Sequence, residues 1–301
     1  MRRVILSAAV TAVLTLPTTL RAQQAARPVK VYISVDMEGV AGLAISPSQM
    51  APTGVDYQYG RRLMTAEANA AIAGAFDGGA TSVLVSDSHG SETNLLADQL
   101  DRRARLITGK PRPYKMMEGI DSTFDAAVFV GYHPRASSLG HIDHTFSYQI
   151  KRISLNGIEV GEDGLNAALA AHFGVPVVFL SGDAAVAAQA QAAYPGIVTV
   201  AVKEAVGRFA INTMNPAEAD ERIKAGVKEA VARARSIHPV HRAAPITIEF
   251  EVSHTGQSEV ALLIPGMTRV APRVVRFVAA DMPAAYRVAG LVSLVVDPIQ
   301  P

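Results

Sequence analysis

Two hydrophobic periods alternate along this chain. Apolar, mostly β-branched runs of strand length lie at 29–35, 82–86, 126–132, 175–180 and 197–202, with a shorter one at 104–107. Runs of that length with little polar interruption are the signature of strands buried on both faces. Between them are Ala-rich stretches at helical spacing: 59–76, where Leu63, Ala66, Ala70 and Ala73 share a face, then 162–173 and 183–194. Gly78-Gly79 and Gly174 stop the first two, and Asp183 has the position of an N-cap for the third. Strand and helix in alternation predict an α/β fold: a mostly parallel sheet with helices on both faces. One interruption is a hairpin, 148–155 and 158–160, turned by Asn156-Gly157. The stretch 46–58, with Pro47, Pro52 and Gly54, predicts a loop, and 115–119 a single helical turn.

The pattern changes from Asn215. Asn215-Pro216 opens a long helix reaching about residue 236. A linker with Pro239 and Pro245 leads to 246–252, which alternates apolar and polar as a half-buried strand does. A further strand at 274–278 and a helix from Met282 follow. These elements divide the chain into a main α/β domain over 29–203 and a smaller α+β portion over 204–301.

The N-terminus does not fit either part. Arg2 and Arg3 precede an uncharged apolar run at 4–16, and Ala22 stands before Gln23-Gln24. This is the layout of a signal peptide over 1–22, too short to span a bilayer, and it predicts a periplasmic or secreted chain with no membrane contact after processing. Its removal leaves 25 basic against 27 acidic residues, a net charge of −2. Neither that balance nor any basic, aromatic patch points to nucleic acid. Cysteine is absent, so any metal must be held by His, Asp and Glu.

Such residues gather at strand ends, where ligands bind in open parallel sheets. The first strand runs into Asp36 and Glu38, two apart and therefore on one side of an extended backbone. Two acids aimed at one spot repel unless a cation or a proton sits between them. The second strand ends in Asp87-Ser88-His89, the fourth in His133, and Glu162 begins a helix. Singly, each has an ordinary explanation as a solvated strand end, an N-cap or a carboxylate at a helix dipole. Together, Asp36, Glu38, His89, His133 and Glu162 exceed the three ligands of one catalytic zinc and suggest two metals sharing a carboxylate, an arrangement suited to hydrolysis.

Ser34-Val35-Asp36-Met37-Glu38-Gly39, Asp87-Ser88-His89, Gly131-Tyr132-His133 and Val160-Gly161-Glu162 with Gly164-Leu165-Asn166 resemble the zinc D-aminopeptidases of peptidase family M55 over residues 29–295. The resemblance implies two zinc ions, with Asp36 bridging and Glu38, His89, His133 and Glu162 completing the sites. It implies His144 as the catalytic histidine, acting as nucleophile or general base. It also implies short peptides with N-terminal D-amino acids such as D-alanine as substrates, and a homo-oligomer, a decameric ring. The chain departs from the pattern at Pro134, and at His141 and Asp143 where small or apolar residues are expected. His141, three residues from His144, is thereby a competitor for the catalytic role and is expected to be a loop residue. Hydrolysis of another amide or a phosphoester, or a periplasmic metal-dependent binding protein, are the alternatives. His172, His238, His241 and His254 are expected to be surface residues, and 204–301 is expected to carry no chemistry.

Overall fold

The structure, a computed structural model, describes residues 28–299, so the leader expected over 1–22 lies outside the described residues. The chain begins with β1 (Val29–Val35), α1 (Tyr57–Asp77), β2 (Ala80–Asp87), β3 (Ala104–Ile107) and β4 (Ala126–Tyr132). The hairpin β5 (Ile150–Leu155) and β6 (Ile158–Val160) follows, then α2 (Glu162–His172), β7 (Val177–Asp183), α3 (Ala184–Ala193), β8 (Val198–Gly207) and β9 (Ala210–Thr213). The remainder is α4 (Pro216–Ala232), β10 (Ile246–Val252), α5 (Thr255–Ala261), β11 (Thr268–Ala271), β12 (Val274–Ala279) and α6 (Met282–Val296).

Seven strands form the main sheet in the order β3-β2-β1-β4-β7-β8-β9, parallel except for the last pair. The period of two divides β1 between two cores. Val31, Ile33 and Val35 face α1 and α4, while Tyr32 faces the core that holds α2, α3 and α6. Helices therefore cover both faces, as the alternating runs predict. Asn215 caps α4 by accepting from Ala217 N at 2.9 Å, and Asp183 caps α3 by accepting from Ala185 N at 2.6 Å.

The second sheet, β11-β12-β10-β5-β6, is antiparallel. Asn156 and Gly157, at φ 49° and 81°, make its left-handed two-residue turn. The burial of β10 alternates residue by residue, as its polarity does. Membership of this sheet corrects the division at 203/204. That position falls inside β8, and β9 and α4 remain with the main sheet. The hairpin β5-β6 meanwhile leaves the first part of the chain to pair with β10. The two sheets are interleaved along the sequence, because β5 finds its partner about a hundred residues later, beyond the reach of local pattern.

Register puts the strand ends level. Val35 lies beside Asp87 of β2 and beside Val130 of β4, so the segments after β1, β2 and β4 leave the sheet at one edge. No helix among the described residues is long and apolar enough to cross a membrane.

Candidate metal centre

At that edge the backbones nearly touch. Asp36 N donates to Val130 O at 2.8 Å, and Gly39 N to Gly131 O at 2.7 Å. A Cβ on Gly39 would lie 1.9 Å from Tyr132 O, and one on Gly131 2.2 Å from Asp36 O. Both positions therefore require glycine, and their absence of side chains brings Asp36 and Glu38 against the end of β4. Lys203 of β8 fixes the other side of this loop. Its buried ammonium donates to the carbonyls of Glu38, Val40 and Leu43 at 2.5, 2.9 and 2.7 Å. Below lies a polar network of Ser34, Tyr132, Asn166 and Tyr286. The Asn166 amide donates to Tyr132 Oη at 2.7 Å and accepts from Tyr286 Oη at 2.5 Å. That explains the Gly164-Leu165-Asn166 stretch after Glu162 as the tie between α2, β4 and α6.

All five expected ligands and His144 converge, each at most 9 % exposed. His89 Nδ1 is 3.3 Å from Asp36 Oδ1 and 2.8 Å from Glu38 Oε2. His133 Nε2 is 3.5 Å from Asp36 Oδ2 and 3.2 Å from Glu162 Oε2. His144 Nε2 stands 3.7 Å from both Glu38 Oε1 and Glu162 Oε1. Its ring stacks on His133 with centroids 4.0 Å apart and 4° between planes.

The second nitrogen of each ring settles the first. His89 Nε2 lies 2.8 Å from Met50 O, His133 Nδ1 3.1 Å from Pro134 O, and His144 Nδ1 2.9 Å from Ile142 O. A carbonyl only accepts, so each of these nitrogens carries a proton, and in neutral rings the facing nitrogens are bare. Bare nitrogens directed at carboxylate oxygens repel unless protons or cations stand between them. Asp36 Oδ2 is buried without a hydrogen-bond partner, as an oxygen reserved for a cation would be.

Protons show the same demand. Burial and the neighbouring Glu38 push the Asp36 carboxyl well above the carboxylate range. Burial opposes charge on Glu38 as well, yet His89 holds it well below. Burial disfavours a charged His133, but Glu162 outweighs it and raises the ring to about 10. His144 moves the other way, lowered by its burial and by His133, which favours the neutral ring. A cluster that keeps protons this firmly offers the sites a metal would take by displacing them.

The donor set fits zinc. Two ligands of one tetrahedral ion, each about 2.1 Å from it, stand about 3.4 Å apart, and the contacts among the five span 2.8–3.5 Å. Asp36 belongs to two groups of possible ligands, with Glu38 and His89 and with His133 and Glu162; Glu38, His133 and His144 make a third.

The cluster opens into a cavity of about 290 Å³, lined also by Lys115, Phe146, Tyr148 and Asp297. Neither Asp87 nor His141 joins it. Asp87 accepts from Asn94 N, Asn94 Nδ2 and Leu95 N at 2.5–2.8 Å and shapes the loop that presents His89. His141 is in the loop between β4 and β5, as expected, but it is wholly buried there, 2.9 Å from Ala44 O, and burial holds it down to about 4. From the 204–301 portion, Asp297 lines the cavity and accepts from Ser147 Oγ at 2.5 Å. His254 is not a plain surface residue, since it is the N-cap residue of α5 and its Nε2 donates to Ile299 O at 3.1 Å.

Comparison with known proteins adds the following. Residues 29–291 match the peptidase M55 family, described as D-aminopeptidase. The chain is 38% identical over 260 residues to a D-aminopeptidase of Bacillus subtilis (strain 168), covering 86% of this chain and 94% of that one. Its fold matches that of the zinc-dependent D-aminopeptidase DppA of Bacillus subtilis, a self-compartmentalizing protease, with a TM-score of 0.86 and 36% identity over 91% of this chain and 100% of that chain.

Proposed function

Because this chain belongs to the M55 family of D-aminopeptidases, we propose that its cluster of three carboxylates and three imidazoles is a two-zinc centre that removes N-terminal D-residues such as D-alanine from short peptides. The enzyme class is that of a hydrolase acting on peptides. The single observation that carries the two-zinc reading is Asp36, whose two oxygens face two separate histidines. Asp36 would be shared by the two ions, with Glu38 and His89 holding one and His133 and Glu162 the other. Zinc held there supplies Lewis acidity toward a peptide carbonyl and charge to offset the three carboxylates.

The chain's own residues handle the proton. Hydrolysis takes one proton from water as its oxygen attacks and returns one to the departing amine. Burial and His133 lower the His144 pKa, which favours the neutral ring; with Nδ1 donating to Ile142 O, Nε2 is then the acceptor facing the cavity. Once protonated it has Glu38 and Glu162 at 3.7 Å on either side, which stabilises the imidazolium until it gives the proton up. Zinc analysis should find two ions per chain, and Asp36→Ala should lose both. D-alanyl dipeptides should turn over while L-alanyl dipeptides do not. A full zinc complement in Asp36→Ala would overturn the bridging role.

The proposal extends to place and assembly. The leader over 1–22 directs export, which N-terminal sequencing of periplasmic or secreted chain tests by starting at Gln23. The family resemblance carries the proposal of a homo-oligomer, a ring of ten copies, and exposed Leu139, Val206 and Phe209 leave apolar surface for contacts between copies. Arg208 O accepts from Ile142 N at 3.0 Å, so the neighbouring Phe209 adjoins the His144 loop. A monomer in sedimentation at micromolar concentration would count against it.

A further inference from the structure

The cavity lining is rich in acids and contains a single lysine or arginine, Lys115. The acids are already matched. Glu92 pairs with Arg112 at 2.8 Å, Asp297 accepts from Ser147, and Asp36, Glu38 and Glu162 belong to the metal cluster. Lys115 is not matched. Its Nζ donates to Ser293 Oγ at 3.2 Å and lies 5.0 Å above the Phe146 ring, and among the described residues it makes no ion pair. Burial pulls its pKa down, while Glu92, Glu162 and Asp297 act the other way from beyond ion-pair distance.

The fold nevertheless holds this side chain in place. Lys115 sits at φ 39° on a short turn (Lys115–Met117) between β3 and β4. Its stem runs over Gly290 of α6, where an added Cβ would lie 3.0 Å from Cδ and 3.4 Å from Cγ. Gly290 and Ser293, one turn apart on α6, thus form a slot for the stem and a rest for the ammonium. A hydroxyl and an aromatic face hold a cation in position without neutralising it.

We infer that Lys115 binds the C-terminal carboxylate of the substrate, so that the cavity selects dipeptides and tripeptides with a free carboxyl end. The inference rests on the D-aminopeptidase reading and adds a second recognition point to it. A carboxylate brings the direct ion pair the lysine lacks, and a charge-assisted hydrogen bond in a buried cavity is of the strong kind. The small cavity, at the lower end of ligand-site volumes, keeps that anchor within reach only for short peptides.

The test compares D-Ala-D-Ala with its C-terminal amide, using zinc-loaded wild type, Lys115→Met and Lys115→Gln. Methionine keeps the apolar stem over Gly290, and glutamine keeps a donor for Ser293; both remove the charge. The expected result is a loss of about 10- to 150-fold in kcat/KM on the free acid, carried mainly by KM. The amide should be a poorer substrate of the wild type and change by less than about twofold in either variant. Equal losses on acid and amide would overturn the inference and give Lys115 a role in the transition state. Unchanged activity on the acid would overturn it too, as would loss of zinc from either variant, which would make Lys115 a counter-charge of the metal cluster. Wild type that holds zinc yet hydrolyses neither substrate would instead refute the D-aminopeptidase reading.

Discussion

Lys203→Met tests whether one buried ammonium holds the Glu38 loop. Lys203 is 3 % exposed and donates to three carbonyls within six residues, those of Glu38, Val40 and Leu43. Methionine fills a similar volume but donates to none of them. Val40 O keeps its bond from Leu43 N at 3.3 Å, so two carbonyls lose their partner, at about 1–3 kcal/mol each and about 2–6 kcal/mol together. Against this, the variant no longer buries a charge, which relieves several kcal/mol. That relief is real here, because burial holds Lys203 down at about 7. The net expectation is a loss of about 1–2 kcal/mol, still a sizeable part of the 5–15 kcal/mol typical of a folded domain. Urea unfolding of zinc-free protein should show it as a lower midpoint at unchanged slope. Zinc affinity should fall about 10- to 100-fold as well, since Glu38 loses the support that orients it. Coincident midpoints and equal zinc affinity would refute the reasoning and make Lys203 a bystander.

Three further outcomes follow from the same geometry. His144→Ala should keep its zinc and its melting temperature while kcat/KM on a D-alanyl dipeptide falls about 10²–10⁴-fold; loss of zinc would show that it is a ligand. His141→Ala should do the reverse, keeping kcat/KM within about tenfold but losing about 2 kcal/mol of stability through the cavity and the lost contact with Ala44 O, read by denaturant titration. Glu67 is buried, accepts from Ala41 N at 2.8 Å through Oε1, and has its carboxyl raised by burial to about 8. Between its ordinary 4.5 and about 8 the folded state binds more protons than the unfolded, so its contribution makes stability fall as pH rises through that window. Glu67→Gln keeps the acceptor without the titration, and above about pH 8 it should gain up to about 4 kcal/mol on wild type relative to the difference near pH 5, measured by urea unfolding across pH.

The parts of this protein that could be read from sequence are those encoded locally. Strands buried on both faces announce themselves as apolar runs, and Asp36, Glu38, His89 and His133 stand out because each follows such a run. Asn156-Gly157 carries its own turn geometry. Less visible was anything that depends on a distant partner. The pairing of β5 with β10 cannot be inferred from either strand alone, which is why the boundary at 203/204 fell inside β8. The stretch 46–58 read as a loop, but a helical turn spans Ser46–Met50 and α1 begins at Tyr57. Met50 holds His89 through a backbone carbonyl, an atom every residue possesses, so no side-chain pattern could announce it. Lys115 sits in an irregular connection and gains meaning only from Gly290 and Ser293, far along the chain.

The distance from Lys115 to Ser293, 178 positions, and from Ser147 to Asp297, 150, sets an order on the protein's completion as it is synthesised. Every proposed ligand has been made once Glu162 is added, whereas β5 waits for β10 and the far wall of the cavity waits for α6. Contacts this distant form late, since the loop between them must close first. A growing chain therefore holds all five ligands before Lys203 braces the Glu38 loop, and gains a place to seat a peptide only when the last helix docks. Chain truncated before Met282 that retains zinc but turns over no D-alanyl dipeptide is the behaviour this order demands, and a truncated chain with full activity would contradict it.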